Sequence, residues 1–290
     1  MANIKRKFIL GDEWIYFKVY AGPKILESLL INQVETIVNQ LFFDKIIDKF
    51  FFIRYTDPHY HLRIRFQITK KSHIPIIIDK LNETLKYYVD NRMIWRICTD
   101  TYNRELERYG ESIITDVETL FSIDSVAVIE YLKELELSDQ EASRWLYGVK
   151  FLDMLLSTFM MTLNDKKEFC EINCNSYSKE FNVNKALRIQ LDKKYRKEKN
   201  NMDQLFMNSA NECNITKQTN CYYQRAKSTI ESIRNNSQLG LTLSFNGIIS
   251  SLIHMHFNRL FLTRQRLQEF IIYYFMNKFY QSQLIRGQSK

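Results

Sequence analysis

Glycine and proline are scarce: 7 and 3 in a chain of 290 residues. So few glycines leave no phosphate-cradling loop of the G-x-G-x-x-G or P-loop kind, and the scarcity favours long regular elements over loops. No G-x-S-x-G nucleophile elbow is present. The five cysteines (Cys98, Cys170, Cys174, Cys213, Cys221) are odd in number and form no C-x-x-C pair. Cys170 and Cys174 have no histidine nearby, and no H-E-x-x-H run occurs, so neither a zinc site nor a disulfide framework is expected. Reduced thiols in a cytoplasmic protein fit this pattern. No run of about 18 apolar residues exists, which argues against a membrane span. The N-terminus, MANIKRKFILGDEWIYF, lacks an apolar core of signal-peptide length.

The charge excess is mild. Lys and Arg number 41 against 33 for Asp and Glu, a net of +8. The positive residues are not gathered in one block, and the densest run, Lys193 to Lys199, reads as a solvated face. Direct nucleic-acid binding is not expected. The apolar fraction, 45%, is that of a globular protein with a real core, and the length suits one domain over residues 1–290.

The patterned stretches start early. Residues 12–20, DEWIYFKVY, read as a strand. Gly22-Pro23 breaks it and Pro23 opens a helix. Residues 50–68, FFFIRYTDPHYHLRIRFQI, read as two strands joined at Asp57-Pro58. Leu62, Ile64, Phe66 and Ile68 alternate with His61, Arg63, Arg65 and Gln67, so the second set lies in one row on the opposite face. That row must face water, a partner or an anionic ligand. A helix is predicted over 73–89 and a strand over 93–99. TYNRELERYG (101–110) reads as a strand end or loop on a polar surface.

From about Ile113 the pattern turns helical. Asp124 is expected to cap a short helix over 125–135. Ser138 and Glu141 form a capping box ahead of a long amphipathic helix. Residues 164–220 are expected to form helices with exposed faces and a mobile loop near 198–218. Helices follow over 244–263 and 264–280, the second apolar around much of its circumference and therefore buried in the core or against a second subunit, so a homodimer is possible. Strands early and helices late predict an α+β fold, with an antiparallel sheet from the N-terminal half packed against a mainly helical C-terminal half.

In the helix SLIHMHFNRL, His254 shares a side with Ser250, Ser251 and Asn258, while His256 lies about 200° away. Polar company in an apolar helix singles out His254.

Three stretches together carry a resemblance. FFIRYTDPHYHLRIRF is similar to the signature W/F-F-F-x-R-Y-x-D-x-x-x-H-[IL]-R-[IL]-R-F of the C-terminal elimination domain of class I lantibiotic dehydratases. TYNRELERYG resembles that family's Y-x-R-E-x-x-R-Y-G-G, and SLIHMHFNRLF its S-x-I-H-M-x-x-N-R-L. Order and spacing agree across residues 12 to 263. One departure is Glu111, where the family has a second glycine.

The resemblance implies removal of glutamate by β-elimination from glutamylated Ser or Thr of a ribosomally made precursor peptide. Dehydroalanine or dehydrobutyrine remains. It implies Arg63, Arg65, Arg104 and His254 as catalytic residues, with Arg54, His61, Arg108, Asn258 and Arg259 lining the substrate site. It implies no metal and no cofactor, and as partners the precursor peptide and a separate tRNA-dependent glutamylation protein. The residue types suit the reaction: arginine holds carboxylates and offsets developing negative charge, and histidine exchanges protons at neutral pH. Two other readings remain at this point. One is a thiopeptide pyridine synthase that joins two dehydroalanines and releases the leader. The other is a non-catalytic scaffold that captures a leader by strand addition.

Overall fold

The computed structural model describes residues 4–138, 142–207, 214–236 and 244–288. In chain order the elements are β1 (Lys7–Phe8), β2 (Trp14–Ala21), α1 (Pro23–Leu29), α2 (Glu35–Phe43), β3 (Ile47–Tyr55), β4 (His61–Ile68), α3 (Ile74–Asp90), β5 (Ile94–Thr99), β6 (Tyr102–Asn103), α4 (Leu106–Tyr109), α5 (Ile114–Ser138), α6 (Ala142–Thr158), α7 (Leu163–Glu180), α8 (Lys185–Met207), α9 (Asn214–Asn236), α10 (Phe245–Leu260) and α11 (Gln265–Gln288). A short π-helical segment, Leu30–Val34, joins α1 to α2. The fold is α+β, as the sequence predicts.

A four-stranded antiparallel sheet has the order β3-β4-β2-β5, and β1 pairs with β6. In register, Arg65 stands between Tyr16 and Phe51, Arg63 between Lys18 and Ile53, and His61 between Tyr20 and Tyr55. The opposite face carries Phe17, Val19, Phe52, Ile64 and Phe66. A cleft between that face and α3 is lined by Phe17, Val19, Ile64, Leu81 and Leu85.

Edge strands leave backbone groups unpaired, and burying them without partners is costly. β3 is such an edge, and side chains of two helices cover it. The Phe50 and Phe52 N–H groups donate to Ser122 Oγ and Ser125 Oγ of α5 at 3.1 and 3.2 Å. The Arg54 N–H donates to Asn258 Oδ1 of α10, and Asn258 Nδ2 returns a bond to the Arg54 carbonyl, both at 2.8 Å. Arg259 Nε donates to the Phe52 carbonyl at 2.9 Å. The helical half is therefore fastened to the sheet along β3. Ser125→Ala, which orphans the buried Phe52 N–H, is expected to lower stability by about 1–3 kcal/mol, as read from urea denaturation.

This explains one departure from the sequence reading. Asp124 does not cap a helix; it lies inside the 25-residue α5 and is 3% exposed. Asp124 followed by Ser125 resembles a helix start because capping groups and buried anchors are the same residue types. Helices α7 and α8 occupy most of the polar stretch; the loop expected near 198–218 is helical at 198–207 and 214–218, and positions 208–213 lie outside the described residues. The Ser138–Glu141 capping box also involves residues outside the described set. TYNRELERYG forms β6 and the single turn α4, ended by Gly110 at φ +75°.

The final helix α11 packs on α7, α10 and α6, burying Phe270, Ile272, Tyr273, Phe275, Met276 and Tyr280. Gly148 of α6 permits the close approach: a Cβ there would stand 3.0 Å from Ile272 Cδ1 and 3.1 Å from Phe257 Cε1. No described helix is long and apolar enough to cross a membrane.

Candidate active site

The alternation of β4 places His61, Arg63 and Arg65 in one row, but the row is not uniformly open. Arg65 is 7% exposed. Its guanidinium carbon lies 4.3, 5.0 and 5.1 Å from the ring centres of Tyr16, Tyr102 and Phe51. Tyr102 comes from β6, which roofs this end of the row. Arg65 makes no ion pair within the described residues, and its buried Nε has no hydrogen-bond partner. Burial accordingly lowers its pKa. Ring faces attract a cation, but more weakly than a carboxylate does.

Arg104 is the instructive contrast. It is equally buried, yet its Nε and Nη2 both donate to the Glu118 carboxylate at 2.7 Å, and Nη1 donates to the Lys5 carbonyl at 3.0 Å. Burial pulls its pKa down, but Glu118 outweighs it and the net shift is upward. Glu118 also accepts from the Tyr102 hydroxyl at 2.8 Å. Arg104 therefore reaches the row indirectly, by fixing the tyrosine that covers Arg65.

Arg63 is partly exposed, stacked 3.5 Å from the centre of the Tyr55 ring. Its Nε donates to His61 Nε2 at 3.2 Å. His61 is buried, stacks on Tyr20 at 4.6 Å, and places Nδ1 2.8 Å from the His59 carbonyl. A carbonyl only accepts, so Nδ1 carries the proton and Nε2 is the acceptor for Arg63. Burial lowers the His61 pKa, which keeps this neutral form. The terminal nitrogens of Arg63 have no acceptor among the described residues. Beside it, Lys18 pairs with Asp100.

Arg108 is exposed and pairs with Glu105 at 3.1 Å. Glu105 is close enough to raise the pKa of Arg65 slightly against the effect of burial. Arg54 and Arg259 are buried. Arg54 Nη2 donates to Glu27 at 2.8 Å, and Glu27 also holds Arg144 through two bonds. Arg259 Nη1 donates to Asp124 at 2.8 Å. Asn258 is committed to the β3 edge.

His254 stands on the helical side. Its ring is 28% exposed, and Nδ1 lies 2.8 Å from Oε2 of Glu269, which is 2% exposed on α11. No hydrogen bond or ion pair joins His254 to Arg63, Arg65 or Arg104 among the described residues. The link is through the frame: Asn258, one turn further along α10, grips β3 at Arg54, whose neighbour Tyr55 stacks on Arg63.

The carboxylates Glu118, Glu269 and Glu27 were missed in sequence, and Asp124 was read there as a helix cap. Only Glu269 left a signal, as a lone acid in the apolar run LQEFIIYYF. Among the described residues no group of three or more His, Cys, Asp and Glu could hold a metal ion. Cys98, Cys170, Cys174 and Cys221 are free thiols.

Over residues 14–280 the chain matches the family described as lantibiotic biosynthesis dehydratase, C-terminal, and it belongs to that family. Subtilin biosynthesis protein SpaB of Bacillus subtilis is 26% identical over 273 residues, covering 90% of this chain and 25% of SpaB. Nisin biosynthesis protein NisB of Lactococcus lactis subsp. lactis is 27% identical over 288 residues, covering 96% of this chain and 26% of NisB. The chain thus spans about a quarter of the length of these relatives. Among solved structures, the tRNA dependent lantibiotic dehydratase MibB from Microbispora sp. 107891 superposes with a TM-score of 0.73 at 16% identity, over 98% of this chain and 29% of MibB. The pyridine synthase TbtD from thiomuracin biosynthesis superposes with a TM-score of 0.66 at 15% identity, over 93% of this chain and 98% of TbtD. At these identities the two structures share a fold with this chain.

Proposed function

We propose that this chain is an elimination lyase. It removes glutamate from glutamylated Ser or Thr of a ribosomally made precursor peptide, leaving dehydroalanine or dehydrobutyrine. The observation that carries the reading is Arg65: a buried cation with no carboxylate partner among the described residues, in a row with Arg63, whose outer donors have no acceptor among them either. A pair of arginines so placed suits an anionic group brought by the substrate. Family membership supports the same reading.

The reaction balances without a redox partner. The Cα–H bond breaks and its electrons form Cα=Cβ. The Cβ–O bond breaks and glutamate departs as a carboxylate. Arg63 and Arg65 offset the charge that grows on the ester and the leaving carboxylate. His254 exchanges a proton through Nε2, the nitrogen opposite Glu269. Arg108, exposed beside Glu105, serves as a further substrate contact. In this scheme Arg104, His61, Arg54, Asn258 and Arg259 are positioning residues: Arg104 fixes Tyr102, His61 orients Arg63, and the other three hold β3 to α10. Residues 1–290 act as one elimination unit in the cytoplasm. Its partners are the precursor peptide and a separate protein that glutamylates it from tRNA.

The test is to give the purified chain a glutamylated precursor peptide and follow its mass. Loss of the glutamyl group with formation of a dehydro residue is expected. An unchanged glutamyl peptide, with cyclisation of a peptide bearing two dehydroalanines, would establish a pyridine synthase instead. Tight peptide binding with neither reaction would establish a scaffold.

A further inference from the structure

We propose that Glu269 is the positioning residue of His254. It fixes the imidazole as the Nδ1–H tautomer and so leaves Nε2 free to take or give the proton. The catalytic consequence rests on the elimination reading above; the tautomer itself does not.

Two imidazole–carboxylate pairs lie two residues apart on α10, and they differ in one respect. His256 pairs with Asp124 at 2.6 Å, is 1% exposed, and stacks flat on Phe151 at 3.3 Å. Its Nε2 is buried and has no partner among the described residues. That pair has nothing to react with. His254 pairs with Glu269 at 2.8 Å in the same way, but only the carboxylate is buried, while 28% of the imidazole side chain is exposed. A carboxylate enclosed by protein can hold one ring nitrogen, while the other ring atoms meet solvent or substrate.

Glu269 is itself held in place. It lies on the buried side of α11 beside Tyr177 and Tyr273, both buried. Burial, and then the Glu269 charge, push both phenols above their ordinary range. Arg266, one turn earlier, binds Glu180 of α7, so the side of α11 that carries Glu269 is tied to a neighbouring helix. A carboxylate accepts and does not donate at neutral pH, so the proton of the neutral imidazole belongs on Nδ1. A histidine that exchanges the substrate's proton then does so at Nε2. The imidazolium formed in that step keeps its Nδ1–H bond to Glu269, which stabilises the charge without itself changing protonation.

The test uses the full chain labelled with 15N-histidine, with His254→Asn to assign the resonance. Wild type is expected to show Nδ1 protonated and Nε2 unprotonated above the titration of the ring. Glu269→Met, close in volume and apolar, is expected to move the proton to Nε2. Turnover of glutamylated peptide should fall about 100-fold in kcat, with KM little changed. Glu269→Asp should restore the Nδ1 proton and part of the rate; if Glu269→Met does not fold, Glu269→Leu takes its place. Wild type with Nε2 protonated would overturn the proposal. So would a folded Glu269→Met protein with unchanged tautomer and unchanged kcat. A wild type that shows the Nδ1 proton, loses it in Glu269→Met and eliminates no glutamate would uphold the pairing and remove the lyase reading alone.

Discussion

Arg65→Met is expected to abolish elimination while leaving the protein as stable as before, or more stable. A buried guanidinium without a carboxylate carries a desolvation cost that three ring contacts only partly offset. Methionine fills similar space between Tyr16, Phe51 and Tyr102 and carries no charge. Replacing buried charged groups by apolar ones of similar volume is often neutral, or stabilising by about 1–4 kcal/mol. The rate should move the other way. Removing one preorganised donor from developing negative charge typically costs about 10²–10³-fold. Arg65→Lys should also lose most of the rate, because an ammonium cannot offer the planar pair of donors. Urea midpoints and single-turnover glutamate release are the paired measurements. A variant that keeps its rate, or that loses several kcal/mol, would mean that Arg65 serves the fold rather than a substrate. The matching change at Arg104 separates the two roles. Arg104→Met strands the buried Glu118 carboxylate, so it should destabilise strongly.

Asp124→Ala is expected to be the most destabilising single change considered, at about 3–5 kcal/mol. It strands Arg259, which is fully buried and is fastened on its other side to the Phe52 carbonyl. It also takes the acceptor from His256 Nδ1. Both losses fall at the seam between α5, α10 and the β3 edge. The same cluster predicts an acid response. Burial lowers the His256 pKa below its ordinary value. The unfolded chain therefore binds that proton more readily, and stability falls as pH drops below about 6.5. Burial opposes ionisation of Asp124, but His256 and Arg259 outweigh it and hold its carboxyl below the usual range. Its contribution is present above about pH 4 and is lost as pH falls through the lower folded value. Denaturation at pH 7, 5 and 2.5 should show two successive losses, and the second should be smaller in Asp124→Ala. A flat profile between pH 7 and 5 would contradict the neutral, buried His256.

The sheet was readable in sequence because β4 alternates without a break and Asp57-Pro58 marks its turn. The three motifs identified the family for the same reason: each is a local run. What escaped was everything set by contacts between distant segments. The burial of Arg65 depends on Tyr102 folding over it from β6. The engagement of Arg104 depends on Glu118, and that of His254 on Glu269, pairings made by packing rather than by local pattern. Asp124 was misread as a cap for the same reason, since its partners His256 and Arg259 on α10 are 132 and 135 positions away. Sequence located the arginines of the candidate site; the structure added the anions, and with them the distinction between arginines already paired and arginines without a carboxylate among the described residues.

The most direct measurement uses a glutamylated serine peptide deuterated at Cα. Elimination predicts one free glutamate, one dehydroalanine and complete loss of the Cα deuterium per turnover. Glutamate released with serine restored and the deuterium retained would mean ester hydrolysis, and the elimination account would be wrong.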